Sequence, residues 1–124
     1  MRSNKKLLSL ADAVAKRIEL RASGRKLTIT NGCFDLLHAG HVHYLQEAYE
    51  QGDTLWLLLN SDASVRMLKG PARPVQREEY RAYVMAALEC IDAVIMFETP
   101  RLDAEIRALS PDIYVKAGDY TLSL

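Results

Sequence analysis

The sequence predicts an α/β fold, a parallel sheet covered by helices on both faces in three layers, α/β/α. Three observations carry that prediction. The run Thr54-Leu55-Trp56-Leu57-Leu58-Leu59 is apolar without alternation, as expected of a strand covered on both sides. Strand-like and helix-like segments alternate along the chain, which gives parallel pairing through helical crossovers. The chemically loaded residues Gly32, Asn60 and Lys116 fall where predicted strands run out, the edge that lines the ligand crevice of an open parallel sheet.

Taken in order, residues 5–22 place Leu7, Leu10, Ala11, Val14 and Ile18 on one helical face, and Ser23-Gly24-Arg25 stops the helix. Residues 27–32 read as a strand ending at Asn31-Gly32. Residues 40–51 read as a helix carrying Val42, Leu45, Ala48 and Tyr49 and ending at Gly52. After the apolar strand, Asn60-Ser61-Asp62 supplies capping chemistry for a short helix through Leu68. Lys69-Gly70-Pro71-Ala72-Arg73-Pro74 is a loop, with two prolines and a glycine in six residues. Tyr80, Tyr83, Val84, Ala87, Leu88 and Ile91 form the next helical stripe, and Ala93 to Phe97 the next strand. Thr99-Pro100 opens a helix by cap and first-turn proline, with Leu102, Ile106 and Leu109 inward, and Ser110-Pro111 ends it. Ile113-Tyr114-Val115 is a fourth strand running into Lys116-Ala117-Gly118-Asp119-Tyr120.

A length of 124 residues fits one domain, 1–124, with a helical N-terminal extension over about 4–23. Lys plus Arg and Asp plus Glu number 16 each, so there is no positive field for nucleic acid or an anionic membrane surface. An anion must be held by local groups. Cys33 and Cys90 have neither metal spacing nor the number for a disulfide framework, and no export signal or membrane-length apolar run is present. The expectation is a cytoplasmic protein. Exposed aromatics such as Tyr80 and Tyr83 leave a homodimer or higher homo-oligomer open.

The densest chemistry is Thr30-Asn31-Gly32-Cys33-Phe34-Asp35-Leu36-Leu37-His38-Ala39-Gly40-His41, at the joint between a strand and a helix. Backbone N–H groups and the helix dipole both favour an anion there. His38 and His41 are three apart and share a face once the helix has begun. Imidazole can donate to a phosphate oxygen and take up charge developing in a transition state. The bland alternative is that the histidines merely cap the helix. A metal site from His38, His41 and His43 is disfavoured, because the order lacks the His-Glu-x-x-His arrangement and His43 falls on another face. Cys33 reads as a small loop residue, and His43, Cys90 and Trp56 as structural.

With those residues in place, the stretch resembles the cytidylyltransferase-like nucleotidyltransferases, whose signature is His-x-Gly-His after a Gly-x-Phe-Asp loop. Asn60-Ser61-Asp62, Lys69-Gly70 through Arg73-Pro74-Val75, and Val115 to Tyr120 are similar to the ADP-heptose synthase branch over about residues 26–120. The resemblance implies a Rossmann-like HxGH nucleotidyltransferase fold. It implies transfer of AMP from ATP, with Mg²⁺, to D-glycero-β-D-manno-heptose 1-phosphate, releasing pyrophosphate. It implies His38, His41 and Lys69 as catalytic. Asn31, Gly32, Cys33, Phe34, Asp35, Gly40, His41, Lys116, Gly118 and Asp119 would contact the nucleotide. Asp35, Asn60, Asp62, Lys69 and Arg73 would contact the sugar phosphate. No protein-held metal is implied.

Two departures stand out. Ala117 replaces the first glycine of the family's Gly-Gly-Asp-Tyr. The family pattern also continues beyond Leu124 with another strand and an Ile-Ser-Thr-Thr helix start that contacts phosphate; the expectation is that the 124-residue form lacks this part. Related bifunctional proteins add a sugar kinase, for which 124 residues leave no room, so the sugar 1-phosphate is expected from separate enzymes. The alternatives are another acceptor, such as glycerol 3-phosphate with CTP or a flavin phosphate with ATP, and a nucleotide-binding module without turnover.

Overall fold

A computed structural model describes residues 4–99 and 101–116. The elements are β1 (Leu7–Leu8), α1 (Leu10–Ala22), β2 (Leu27–Gly32), α2 (Ala39–Tyr49), β3 (Thr54–Asn60), α3 (Asp62–Lys69), α4 (Glu78–Ala86), β4 (Ala93–Phe97), α5 (Asp103–Leu109) and β5 (Ile113–Val115). The five strands form one parallel sheet in the order β1-β4-β3-β2-β5. The chain steps from β2 through β3 to β4 in one direction, then returns to place β5 on the far side of β2. That reversal puts the topological switch between β2 and β5, the place where open parallel sheets form a ligand crevice.

β3 is the centre of the sheet, and each of its seven residues is buried. Its pleat sorts them by parity. Leu55, Leu57 and Leu59 pack with Tyr44, Leu45 and Ala48 of α2 and Ala82, Met85 and Ala86 of α4. Trp56 and Leu58 pack on the other face with Ala13 of α1 and Leu109 of α5, joined by Leu27, Ile29, Ala93, Ile95 and Phe97 from β2 and β4. Two apolar layers therefore sandwich the sheet, the arrangement that the unalternating run predicts. Burying a leucine of this kind contributes about 1.5–3 kcal/mol. Among the described residues no helix is long and apolar enough to cross a membrane.

Several sequence expectations need correction. The predicted helix over 5–22 begins only at Leu10, because Ser9 caps it by accepting the Asp12 N–H at 3.1 Å. Leu7 and Leu8 instead pair with Val94 and Ile95 as an edge strand, so among the described residues the sheet has five strands rather than four. The helix turns Ala13 and Arg17 inward and leaves Ile18 exposed. On α4 the expected stripe is also displaced: Tyr80, Tyr83 and Val84 are exposed, and Arg81, Ala82, Met85 and Ala86 are buried. A buried arginine lies on each true inward face, which hides that face from a reading by hydrophobicity. The last helix starts at Asp103 rather than at Thr99-Pro100, since the Thr99 hydroxyl donates to the Arg101 carbonyl at 2.6 Å and does not cap. Pro100 lies outside the described residues.

Candidate functional site

The loop from β2 to α2 turns sharply at Phe34, which has φ 46°, a left-handed conformation uncommon for a large aromatic residue. That turn folds the ring back over Gly32, where a Cβ would lie 2.6 Å from the Phe34 Cε2. Only glycine fits beneath it. The same ring meets His41 edge to face, with centroids 5.4 Å apart.

His38 is the N-cap of α2. Its Nδ1 accepts the Gly40 N–H at 3.1 Å, and the His38 N–H donates to His41 Nδ1 at 3.2 Å. The two rings stack with centroids 3.9 Å apart and planes 23° apart. Because both Nδ1 atoms accept, each neutral ring carries its proton on Nε2. The helix-capping reading and a role toward an anion are thus compatible: the cap uses one nitrogen of each ring and leaves the other as a donor. Burial, then His38 and Lys69, hold the His41 imidazolium unfavourable and its pKa below the usual histidine value. Protonation would also turn its Nδ1 from acceptor to donor and break the cap.

Both imidazoles line a cleft of about 390 Å³ together with Gly32, Cys33, Phe34, Asp35, Leu36, Lys69 and Arg73. Asp35 organises its far wall. Its two carboxylate oxygens accept the Val75 and Gln76 N–H groups, each at 2.8 Å, and Arg73 lies at 3.7 Å. Burial alone would raise its pKa, but the Gln76 and Val75 amides and the Arg81 and Arg73 guanidinium groups together lower it. Cys33 is half-buried, and burial pushes its thiol pKa up despite Lys69 and Arg81, which suits a neutral loop residue better than a nucleophile.

A second, larger cleft of about 640 Å³ opens beside the first along the strand ends. Among its lining residues are Asn31, Asn60, Phe97, Arg101, Arg107, Tyr114 and Lys116. Asn31 and Leu68 face this cleft while their chain neighbours Gly32 and Lys69 face the first, so the end of β2 and the end of α3 form a shared wall. The Asn31 amide oxygen accepts from the Tyr114 hydroxyl across the β2–β5 switch.

Most sequence-predicted residues therefore gather around two adjoining clefts. Gly40 lies in the first turn of α2 and acts through its amide. Asp62 lines neither cleft; its carboxylate instead accepts from Arg81 at 2.8 Å. His43 pairs with Glu47 at 3.1 Å on the outer side of α2. Gly118 and Asp119, with Ala117, lie outside the described residues. Sequence reasoning missed Arg101, Arg107 and Arg81. The first two had no motif around them: Arg101 lies just ahead of α5 and Arg107 in its last turn. Arg81 reads as a helix-surface charge, and only its interruption of an apolar face could have marked it. Among the described residues no group of three or more His, Cys, Asp or Glu side chains is placed to hold a metal ion.

Known proteins resemble this chain in sequence and in fold. The chain is 61% identical over 101 residues to the bifunctional protein HldE of Trichlorobacter lovleyi, covering 82% of this chain and 21% of that one. It is 51% identical over 118 residues to the bifunctional protein HldE of Citrifermentans bemidjiense, covering 95% and 24%. The chain thus spans about a fifth to a quarter of the length of the curated relatives it matches. Among solved structures, it resembles the lipopolysaccharide core biosynthesis protein of Thermoplasma volcanium with a TM-score of 0.70 and 27% identity, over 81% of this chain and 80% of that one. The family description cytidylyltransferase-like matches residues 29–124, from within β2 onward. With that match laid over a histidine-capped β2–α2 joint, the chain belongs to the cytidylyltransferase-like family.

Proposed function

We propose that this chain is an adenylyltransferase that moves AMP from ATP to D-glycero-β-D-manno-heptose 1-phosphate and releases pyrophosphate. The observation that carries the reading is the stacked imidazole pair whose Nδ1 atoms are both engaged by backbone, on the rim of a cleft that Lys69 and Arg73 also line. High identity to proteins named HldE, and the loop segments shared with the ADP-heptose synthase branch, favour this acceptor.

In this reading the sugar phosphate attacks the α-phosphorus of ATP in line. The new P–O bond forms as the bond to pyrophosphate breaks, and the electron pair leaves with pyrophosphate. No side chain need remove a proton, because the attacking phosphate is already an anion. The Nε2–H donors of His38 and His41 and the start of α2 meet the charge developing on the α-phosphate. Lys69 and Arg73 balance the remaining phosphates. The larger cleft, with apolar Phe97, Leu102 and Ile106 and the amides of Asn31 and Asn60, suits a nucleoside.

Mg²⁺ is proposed only as part of the ATP substrate. The residues of the histidine cleft do not fit a protein-held ion, since both oxygens of Asp35 are taken by backbone amides and the other charged groups are cations.

A pyrophosphate-release assay pairing ATP and CTP with heptose 1-phosphate, glycerol 3-phosphate and flavin phosphate tests the proposal. Turnover is expected with ATP and the heptose phosphate. Turnover with CTP alone, or tight ATP binding with no pyrophosphate from any acceptor, overturns it.

A further inference from the structure

Arg81 is only 2% exposed, yet it bonds four residues on three separate stretches of chain. Its Nη1 donates to the Cys33 carbonyl at 2.9 Å and the Asn60 carbonyl at 2.7 Å. Its Nε donates to the Gln76 carbonyl at 2.9 Å, and Nη2 to Asp62 at 2.8 Å. Cys33 directly follows β2, Asn60 ends the adjacent β3, and Asp62 opens α3, whose last residue is Lys69. Gln76 is held a second time, since its N–H and that of Val75 donate to Asp35. The segment after Arg73 is therefore gripped from both sides, by a cation on α4 and a carboxylate on the β2–α2 loop.

We infer that Arg81 is the positioning residue of the site. It fixes the ends of β2 and β3, the start of α3 and the 70–77 loop against one another, and so holds Lys69 and Arg73 across the cleft from the imidazole pair. The inference rests on the adenylyltransferase reading for its catalytic consequence, and on geometry alone for the clamp. A guanidinium is suited to this because its planar fork reaches several acceptors at once; a lysine ammonium cannot match that fork. A displacement on the order of 1 Å costs about 100-fold in such a transfer, where position does most of the work.

The test uses Arg81→Lys and Arg81→Met in the full chain, with two readouts. In hydrogen exchange, the Val75 and Gln76 amides are expected to exchange at least about tenfold faster in Arg81→Lys, with the β3 amides still protected. In pyrophosphate release, below the melting temperature, kcat is expected to fall about 10- to 100-fold with the KM for ATP within about threefold. Should Arg81→Met fail to fold, Arg81→Lys decides the matter. Wild-type exchange at Val75 and Gln76 in Arg81→Lys overturns the clamp. Faster exchange with an unchanged kcat overturns its catalytic consequence. If the wild-type chain itself releases no pyrophosphate, the functional reading fails while the exchange result still decides the clamp.

Discussion

A histidine is a poor choice for an N-cap by propensity, where Asn, Asp, Ser and Thr lead. Its presence at the start of α2 is explained by what the ring does beyond the cap. One nitrogen accepts from Gly40, and the other is left as a donor toward the cleft. This separates the two roles experimentally. His38→Asn retains a capping acceptor without the imidazole donor, so unfolding stability is expected to stay within about 1 kcal/mol of wild type. Pyrophosphate release should nonetheless drop on the order of 100-fold. His38→Ala should lose both. Urea unfolding alongside kinetics reads the pair, and wild-type turnover in His38→Asn would leave capping as the ring's whole purpose. Phe34 belongs to the same residue-scale logic. Its left-handed backbone is tolerated because the ring packs between Gly32 and His41.

At the scale of elements, caps decide where helices begin and so where their side chains land. Ser61 is 1% exposed and accepts the Ser64 N–H at 3.2 Å, opening α3 directly behind β3. Ser61→Ala removes that acceptor from a buried helix start. A loss of about 1 kcal/mol is expected, within about 0.5–2, measurable by urea denaturation; a change below about 0.3 kcal/mol would mean that water or Ser64 replaces the cap. The Asn60-Ser61-Asp62 segment was legible as a cap from the sequence because its residue types have few other uses before an apolar helix. The start of α1 carried an equally plain signal, Ser9 followed by Asp12, which the apolar Leu7 and Leu8 obscured. Two leucines ahead of a helix look like its first turn. Only β4 alongside makes them a strand.

Across the whole molecule, two buried arginines tie the sheet at opposite ends. Arg81 gathers the carboxyl ends. Arg17 gathers the amino ends by donating to the Leu109 and Ser110 carbonyls at 2.9 and 2.7 Å and to Asp112 at 3.2 Å. Asp112 in turn accepts the Leu27 N–H at 2.8 Å, and that bond, with Arg17, lowers its pKa. Asp112, Asp35 and His41 all bind protons more weakly folded than unfolded. The unfolded chain therefore takes up more protons as pH falls, and stability is lost in that direction. The His41 contribution is complete above about pH 6.5 and the Asp contributions above about pH 3.9, their unfolded values; each disappears as pH falls through the lower folded value. Urea melts from pH 8 to pH 3 should show a shallow decline first and a steeper one below about pH 4. Asp35→Asn should flatten the steeper part, and an unchanged acid limb would remove Asp35 from the account.

The sequence by itself determined the three-layer class, the central strand and the histidine joint. These depend on local pattern: an unbroken apolar run, a glycine before a sharp turn, two imidazoles at helical spacing. Tertiary structure alone decided which helix faces are inward, that Asp62 serves Arg81 rather than a cleft, and that the site divides into two cavities along a shared wall. The reason is physical. A charged side chain can be buried only where carbonyls and carboxylates from distant segments converge to pair with it, and no stretch of chain displays partners that lie 48 or 92 positions away.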